Sequence, residues 1–121
     1  MLEKWIQQGA RTDKPWGYEI LWAKTEDYVG KVLFVRAGES LSLQYHQKKE
    51  ETIFLESGEC LLECGNNEKE LSTLKMKGGD VFHVPPGRIH RLQAVTDCRF
   101  FEVSTPHLDD VVRLRDRYGR S

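Results

Sequence analysis

GESLSLQYHQKKEETIFLESG, residues Gly38 to Gly58, is the stretch from which the rest of the chain can be read. From Leu41 to His46 the side chains alternate, with Leu41, Leu43 and Tyr45 on one face and Ser42, Gln44 and His46 on the other. That is the period of a β-strand that packs on one side and lines something polar on the other. Gln47-Lys48-Lys49-Glu50 reads as a charged turn. Glu51 to Glu56 is then the next strand, with Glu51, Ile53 and Leu55 sharing a face, and Gly58 permits a tight turn after it. Gln44 and His46 lie on one side of their strand, and Glu51 can face them across the turn. A second stretch, GDVFHVPPGRIH from Gly79 to His90, ends in another histidine, placed by a rigid Pro85-Pro86-Gly87 turn. Gln44, His46, Glu51 and His90 are read as the four protein ligands of one metal ion. Imidazole nitrogens with carboxylate and amide oxygens, and no thiolate, suit an open catalytic site better than a closed structural zinc. The donor set accepts Zn, Mn, Fe, Ni or Co, with Zn the first choice. The plain alternative is a coincidence of ordinary core and surface histidines.

The chain has 121 residues, with 18 Lys and Arg against 19 Asp and Glu, for a net charge of −1. One domain spanning 1–121 is the expectation. The balanced charge gives no footprint for nucleic acid. No apolar run approaches the length that crosses a bilayer, so no membrane partner is expected. The N-terminal MLEKWIQQGARTDKPWG lacks the apolar region of a secretory signal. Cys60, Cys64 and Cys98 include no CxxC pair and are expected to stay reduced in a cytoplasm. Cys60 and Cys64 share a strand face and read as small buried residues.

The remaining segments are also β-rich. Residues 1 to about 13 carry few signals and suggest a short arm or helix, ended by the break Lys14-Pro15-Trp16-Gly17. Strands are expected at Tyr18–Trp22, Lys31–Arg36, Glu59–Cys64, Leu71–Met76, Val81–Val84, His90–Val95 and Arg99–Ser104. Leu108–Ser121 is a charged segment with a short apolar centre. Many short strands at turn spacing, with almost no helical period, indicate a β-sandwich or barrel. Because Leu41, Leu43 and Tyr45 should point away from the polar cavity, a second subunit is expected over them, giving a homodimer.

The two stretches resemble the two motifs of the cupin superfamily. Gly38, Gln44, His46, Glu51 and Gly58 fit the first motif, with glutamine at the first histidine position. Gly79, Pro85, Gly87 and His90 fit the second, with Ala94 where an asparagine would fall. The resemblance implies an all-β, single-domain cupin, a double-stranded β-helix or jelly-roll barrel. Its core would be about 14–106, with short N- and C-terminal extensions and a C-terminal segment 107–121. A closer resemblance covers about residues 14 to 120. KPWGYE, GESLSLQYH, PPGRIHRL and DDVVRLRDRYGR are similar to the cupin domain of type II mannose-6-phosphate isomerases, in which the first histidine is commonly glutamine. Arg115 stands where that family tends to carry an acidic residue.

This likeness implies a metal-dependent aldose–ketose isomerase acting on a sugar phosphate through an enediolate. The metal would be the Lewis acid. The phosphate needs cations, for which Lys14, Arg88, Arg113 and Arg120 are available. The family match favours Arg113 as catalytic and puts Lys14 and Arg120 near the site. The bland reading of Arg113, Asp116, Arg117 and Arg120 is a solvated charge run. His83 is either a general base or a surface residue, and His107 reads as surface. Two other functions compete: a non-catalytic sugar- or small-ligand-binding metal cupin, and, ranked lowest, a metal oxygenase. Isomerase and binder separate on whether Arg113 reaches the metal pocket.

Overall fold

The computed structural model describes residues 5–120. Eleven strands form two antiparallel sheets, and no α-helix occurs among the described residues. The first sheet contains β1 (Ala10–Lys14), β2 (Gly17–Lys24), β3 (Val29–Val35), β5 (Glu51–Ser57), β8 (Val81–Val84) and β10 (Cys98–Ser104), in the order β1-β2-β3-β10-β5-β8. The second contains β4 (Leu43–Tyr45), β6 (Glu59–Gly65), β7 (Ser72–Lys77), β9 (Ile89–Ala94) and β11 (Val112–Arg115), in the order β11-β4-β9-β6-β7. The all-β fold class expected from the strand pattern is the one observed.

The core between the sheets follows from the period of two. Phe100 is fully buried and lies opposite Leu33 on one side and Leu55 on the other. Across the gap, Leu62 and Leu92 are cross-strand partners on β6 and β9, and both are buried. Cys60 and Cys98 complete this layer as free thiols, and burial pushes them up to about 12 and about 11. Gly58, in the turn from β5 to β6, has φ +101°, and a Cβ there would lie 2.3 Å from the Asp97 carbonyl oxygen.

Three expectations need correction. The segment before Lys14 is neither arm nor helix over Ala10–Lys14. It is an edge strand, because each of its residues pairs with β2. The C-terminal segment likewise supplies β11, which pairs with β4. The barrel therefore extends past 14–106 at both ends. The face assigned to Leu41, Leu43 and Tyr45 also fails. Leu43 is fully covered within the chain, and Leu41 lines the interior cavity. The regular strand begins only at Leu43, so strand alternation does not extend back to Leu41.

Replacing Phe100 by Ala removes the largest fully buried side chain from the middle of this core. A loss of about 3–5 kcal/mol is expected, read as a lower urea midpoint with an unchanged slope.

Candidate metal centre and its cavity

The register of the second sheet brings the two sequence stretches together. Gln44 on β4 is the cross-strand partner of His90 on β9 and of Arg113 on β11. Directly paired residues project to the same face, so Arg113, Gln44 and His90 form one row inside the barrel. His46 follows β4, and Glu51 opens β5 on the facing sheet. His46, Glu51 and His90 offer donor atoms that all lie within 4.8 Å of one another, and all three are buried. Glu51 Oε1 is 3.3 Å from His46 Nε2 and 3.2 Å from His90 Nε2.

The outer nitrogens of both rings are engaged. His46 Nδ1 is 2.5 Å from the Asp110 carbonyl oxygen, and His90 Nδ1 is 3.0 Å from the Arg88 carbonyl oxygen. A carbonyl only accepts, so each Nδ1 donates its proton and each ring turns its Nε2 inward. His90 Nε2 is buried and makes no hydrogen bond. Two imidazole nitrogens and a carboxylate oxygen therefore converge on one point. Such a donor set fits a divalent metal. Gln44 stands beside the three. Its Oε1 accepts from Ser42 Oγ at 2.9 Å, and it lines the same interior.

Backbone geometry holds the set in place. Gly87, with φ +85°, donates its N–H to the His46 carbonyl at 2.8 Å, which ties the second motif to the first. The Asp110 carboxylate accepts the N–H groups of Gln47, Lys48 and Lys49 at 3.0, 2.6 and 2.8 Å. These bonds, from Lys48 above all, hold its carboxyl down at about 2. Asp110 thus fixes the loop between His46 and Glu51 with its side chain and the His46 ring with its carbonyl, the kind of outer support that ligating histidines require.

The expected charged turn at Gln47–Glu50 is not uniformly solvated. Lys49 turns inward and is buried, with Nζ 3.0 Å from Glu51 Oε2 and 3.2 Å from Glu102 Oε2. Burial alone would raise Glu51, but the His46 and His90 imidazoles and the Lys49 ammonium outweigh it and hold the carboxyl well below its usual range. Burial, and then the neighbouring Glu51 charge, push Glu102 up to about 7. Burial would lower Lys49, yet the two carboxylates more than offset that and raise it.

A cavity of about 480 Å³ opens beside the ligand set and is lined by Gln44 and His46. Of the cations expected at the site, Lys14, Arg113 and Arg120 reach it. Arg88 does not line it; its guanidinium instead donates to the His83 carbonyl at 3.2 Å. His83 is exposed and paired with Glu50 at 2.6 Å, away from the cavity, so it is not placed to act as a base. His107 is exposed, as read from the sequence. Lys31, Lys49, Glu19, Glu102 and Asp110 were not anticipated. For Glu19, Lys31 and Glu102 a signal existed: each is a charge at an inward position of an otherwise β-type stretch. For Lys49 and Asp110, in a turn and a charged tail, there was none.

The profile described as "Cupin domain" matches residues 31–104. A search of curated proteins returned no match. Among solved structures, the chain is similar to the capsular polysaccharide assembling protein CapF from Staphylococcus aureus, with TM-score 0.78, 19% identity, and coverage of 89% of this chain and 34% of that one. It is similar to oxalate decarboxylase from Bacillus subtilis, with TM-score 0.77, 16% identity, and coverage of 88% and 30%. It is also similar to KdgF from Halomonas sp., with TM-score 0.70, 19% identity, and coverage of 81% and 86%. The chain spans about a third of the length of CapF and of oxalate decarboxylase. At these identities the likeness is one of fold.

The Asp110 clasp yields a pH signature. Its folded pKa of about 2 lies below the ordinary 3.8, so its stabilisation is complete above 3.8 and is lost as pH falls through 2. Asp110→Asn should lower the urea midpoint at pH 5, and the difference from wild type should shrink steadily as the pH approaches 2.

Proposed function

The chain belongs to the cupin family, and from that premise we propose that it is a metal-dependent aldose–ketose isomerase of a phosphorylated hexose, similar to mannose-6-phosphate isomerase. The observation that carries the reading is the convergence of His46 Nε2, His90 Nε2 and Glu51 Oε1 at the wall of a cavity rich in cations. Gln44, His46, Glu51 and His90 are the residues that would hold the metal. When bound, the metal supplies Lewis acidity to the sugar carbonyl and the enediolate oxygens. Zinc is the first choice. Mn, Fe, Ni and Co suit the same donors, and the fold relative oxalate decarboxylase is described as having Mn(II) centres.

The chain's own residues divide the remaining work. Arg113, cross-strand from Gln44 and lining the cavity, is the catalytic arginine of this reading. Its guanidinium would face the sugar oxygens where negative charge develops. Its position inside the barrel favours an isomerase over a simple binder. Lys14 and Arg120 line the same cavity as substrate-binding cations. The buried Lys49 keeps Glu51 ionised and oriented. The three free cysteines suit a reducing cytoplasm. No helix among the described residues is long and apolar enough to cross a membrane.

A homodimer is part of the proposal, through a different face from the one expected. On the outer side of the six-stranded sheet, Ile20, Val32, Phe101, Phe54 and Val81 are successive cross-strand partners. Trp22, Val103, Val81 and Phe101 there are 57%, 53%, 60% and 39% exposed. The row crosses four strand spacings of about 4.8 Å each. Its lack of charge suits a second copy of itself.

Two measurements check these readings. Protein purified without chelator should carry about one metal per chain and convert mannose 6-phosphate to fructose 6-phosphate, and His90→Ala should lose both. Metal without turnover would leave a sugar-binding cupin, and neither, even after metal is supplied, would end the metal reading. In sedimentation, wild type should run as a dimer and Phe101→Glu as a monomer. A monomeric wild type at micromolar concentration would sink the interface.

A further inference from the structure

The six-stranded sheet carries charges where small barrels usually carry apolar filling. On β1–β3 the inward positions include Lys14, Glu19 and Lys31, and all three line the cavity. Glu19 is cross-strand from Leu33, and Lys31 from Leu21 and Glu102, so these charges lie on the same wall as the core. One carboxylate serves two ammonium groups: Lys14 Nζ is 3.1 Å from Glu19 Oε1 and Lys31 Nζ is 2.8 Å from Glu19 Oε2. Their side chains are 29%, 13% and 17% exposed for Lys14, Glu19 and Lys31. Burial would raise Glu19, but the two lysines, Lys31 first, outweigh it and lower the carboxyl.

A merely structural pair would need one cation, and apolar packing would cost less than half-burying three charges. Each ammonium has three N–H donors and spends one on Glu19. Donors therefore remain on both lysines, held apart at a spacing set by the two oxygens of one carboxylate. The cavity as a whole is also cationic. Lys14, Lys31, Lys49, Arg113 and Arg120 line it against Glu19, Glu102 and Asp109.

The other cations are less suited to a phosphate. Arg120 gives Nε and Nη2 to both Asp116 oxygens at 2.9 and 3.0 Å, so its fork is already spent. Lys49 is held between Glu51 and Glu102. Arg113 sits in the row with Gln44 and His90, at the reacting end. Lys31 on β3 stands two strands from Glu51 on β5, about 10 Å across the sheet, which leaves room for a sugar ring between them.

We propose that Lys14 and Lys31, held by Glu19, form an anion subsite that takes the phosphate monoester of the ligand. Glu19 is a positioning residue that fixes the two ammonium groups. This assignment rests on the sugar-phosphate reading above and extends it by giving the phosphate an address on the wall opposite Arg113.

The test is calorimetric titration of the zinc-loaded full chain with inorganic phosphate, mannose 6-phosphate and mannose. Lys31→Met and Lys14→Met should each weaken both phosphates by about tenfold or more. Mannose binding should not change, and Lys31→Arg should stay close to wild type. Lys14 sits at the end of an edge strand, so its variant folds even if Lys31→Met does not. Folded variants that bind both phosphates as tightly as wild type, or a wild type that binds neither, would overturn the subsite. Lysine-dependent phosphate binding without isomerisation would keep the subsite and remove the isomerase. Isomerisation insensitive to both lysines would do the reverse.

Discussion

Two buried imidazoles and one buried carboxylate meet at a single point in this barrel. His46 and His90 each commit an Nδ1–H to a backbone carbonyl, so their Nε2 atoms face Glu51 at 3.3 and 3.2 Å. In a dry interior such a cluster is costly unless a cation compensates it. Much of the structure serves to hold it. The Gln44–His90 pairing joins the two strands that carry the motifs, the Gly87 N–H ties the second turn to His46, and Asp110 fastens the intervening loop.

Around that point the interior is polar and the outer face of the six-stranded sheet apolar, while farther along the barrel Phe100, Leu33 and Leu55 fill an apolar core. Strand β10 shows this most clearly. Glu102 and Ser104 face inward and are buried, while Phe101 and Val103 face outward and are exposed. The inward charges are organised and not scattered: Lys49 links Glu51 to Glu102, and Lys31 and Lys14 share Glu19. Such an interior is expensive for stability alone. It is understandable if the interior is a binding chamber and the outer face is covered by another subunit.

The strands from β2 to β10 were legible because each is a short β-rich run bounded by Gly, Pro or Asn. The edge strands β1 and β11 were not. ARTDK and VRLR have little β-type alternation of their own and are held by pairing with β2 and β4. His46, Glu51 and His90 were legible because period-two geometry and a proline turn constrain them locally. Lys49 was not, because a lysine in a charged turn looks solvated until two carboxylates from distant strands are seen to enclose it.

By itself the sequence determined the β class, the motif frame and a candidate set of metal-binding side chains, since these depend on local alternation, turn residues and donor chemistry. Only the tertiary structure decided which charges face inward. It excluded Arg88 from the cavity, brought Arg113 into it, moved the exposed apolar face to the six-stranded sheet, and paired Lys14 and Lys31 on Glu19. The physical reason is that charge–charge contacts depend on register between strands far apart in the chain, which no local pattern encodes.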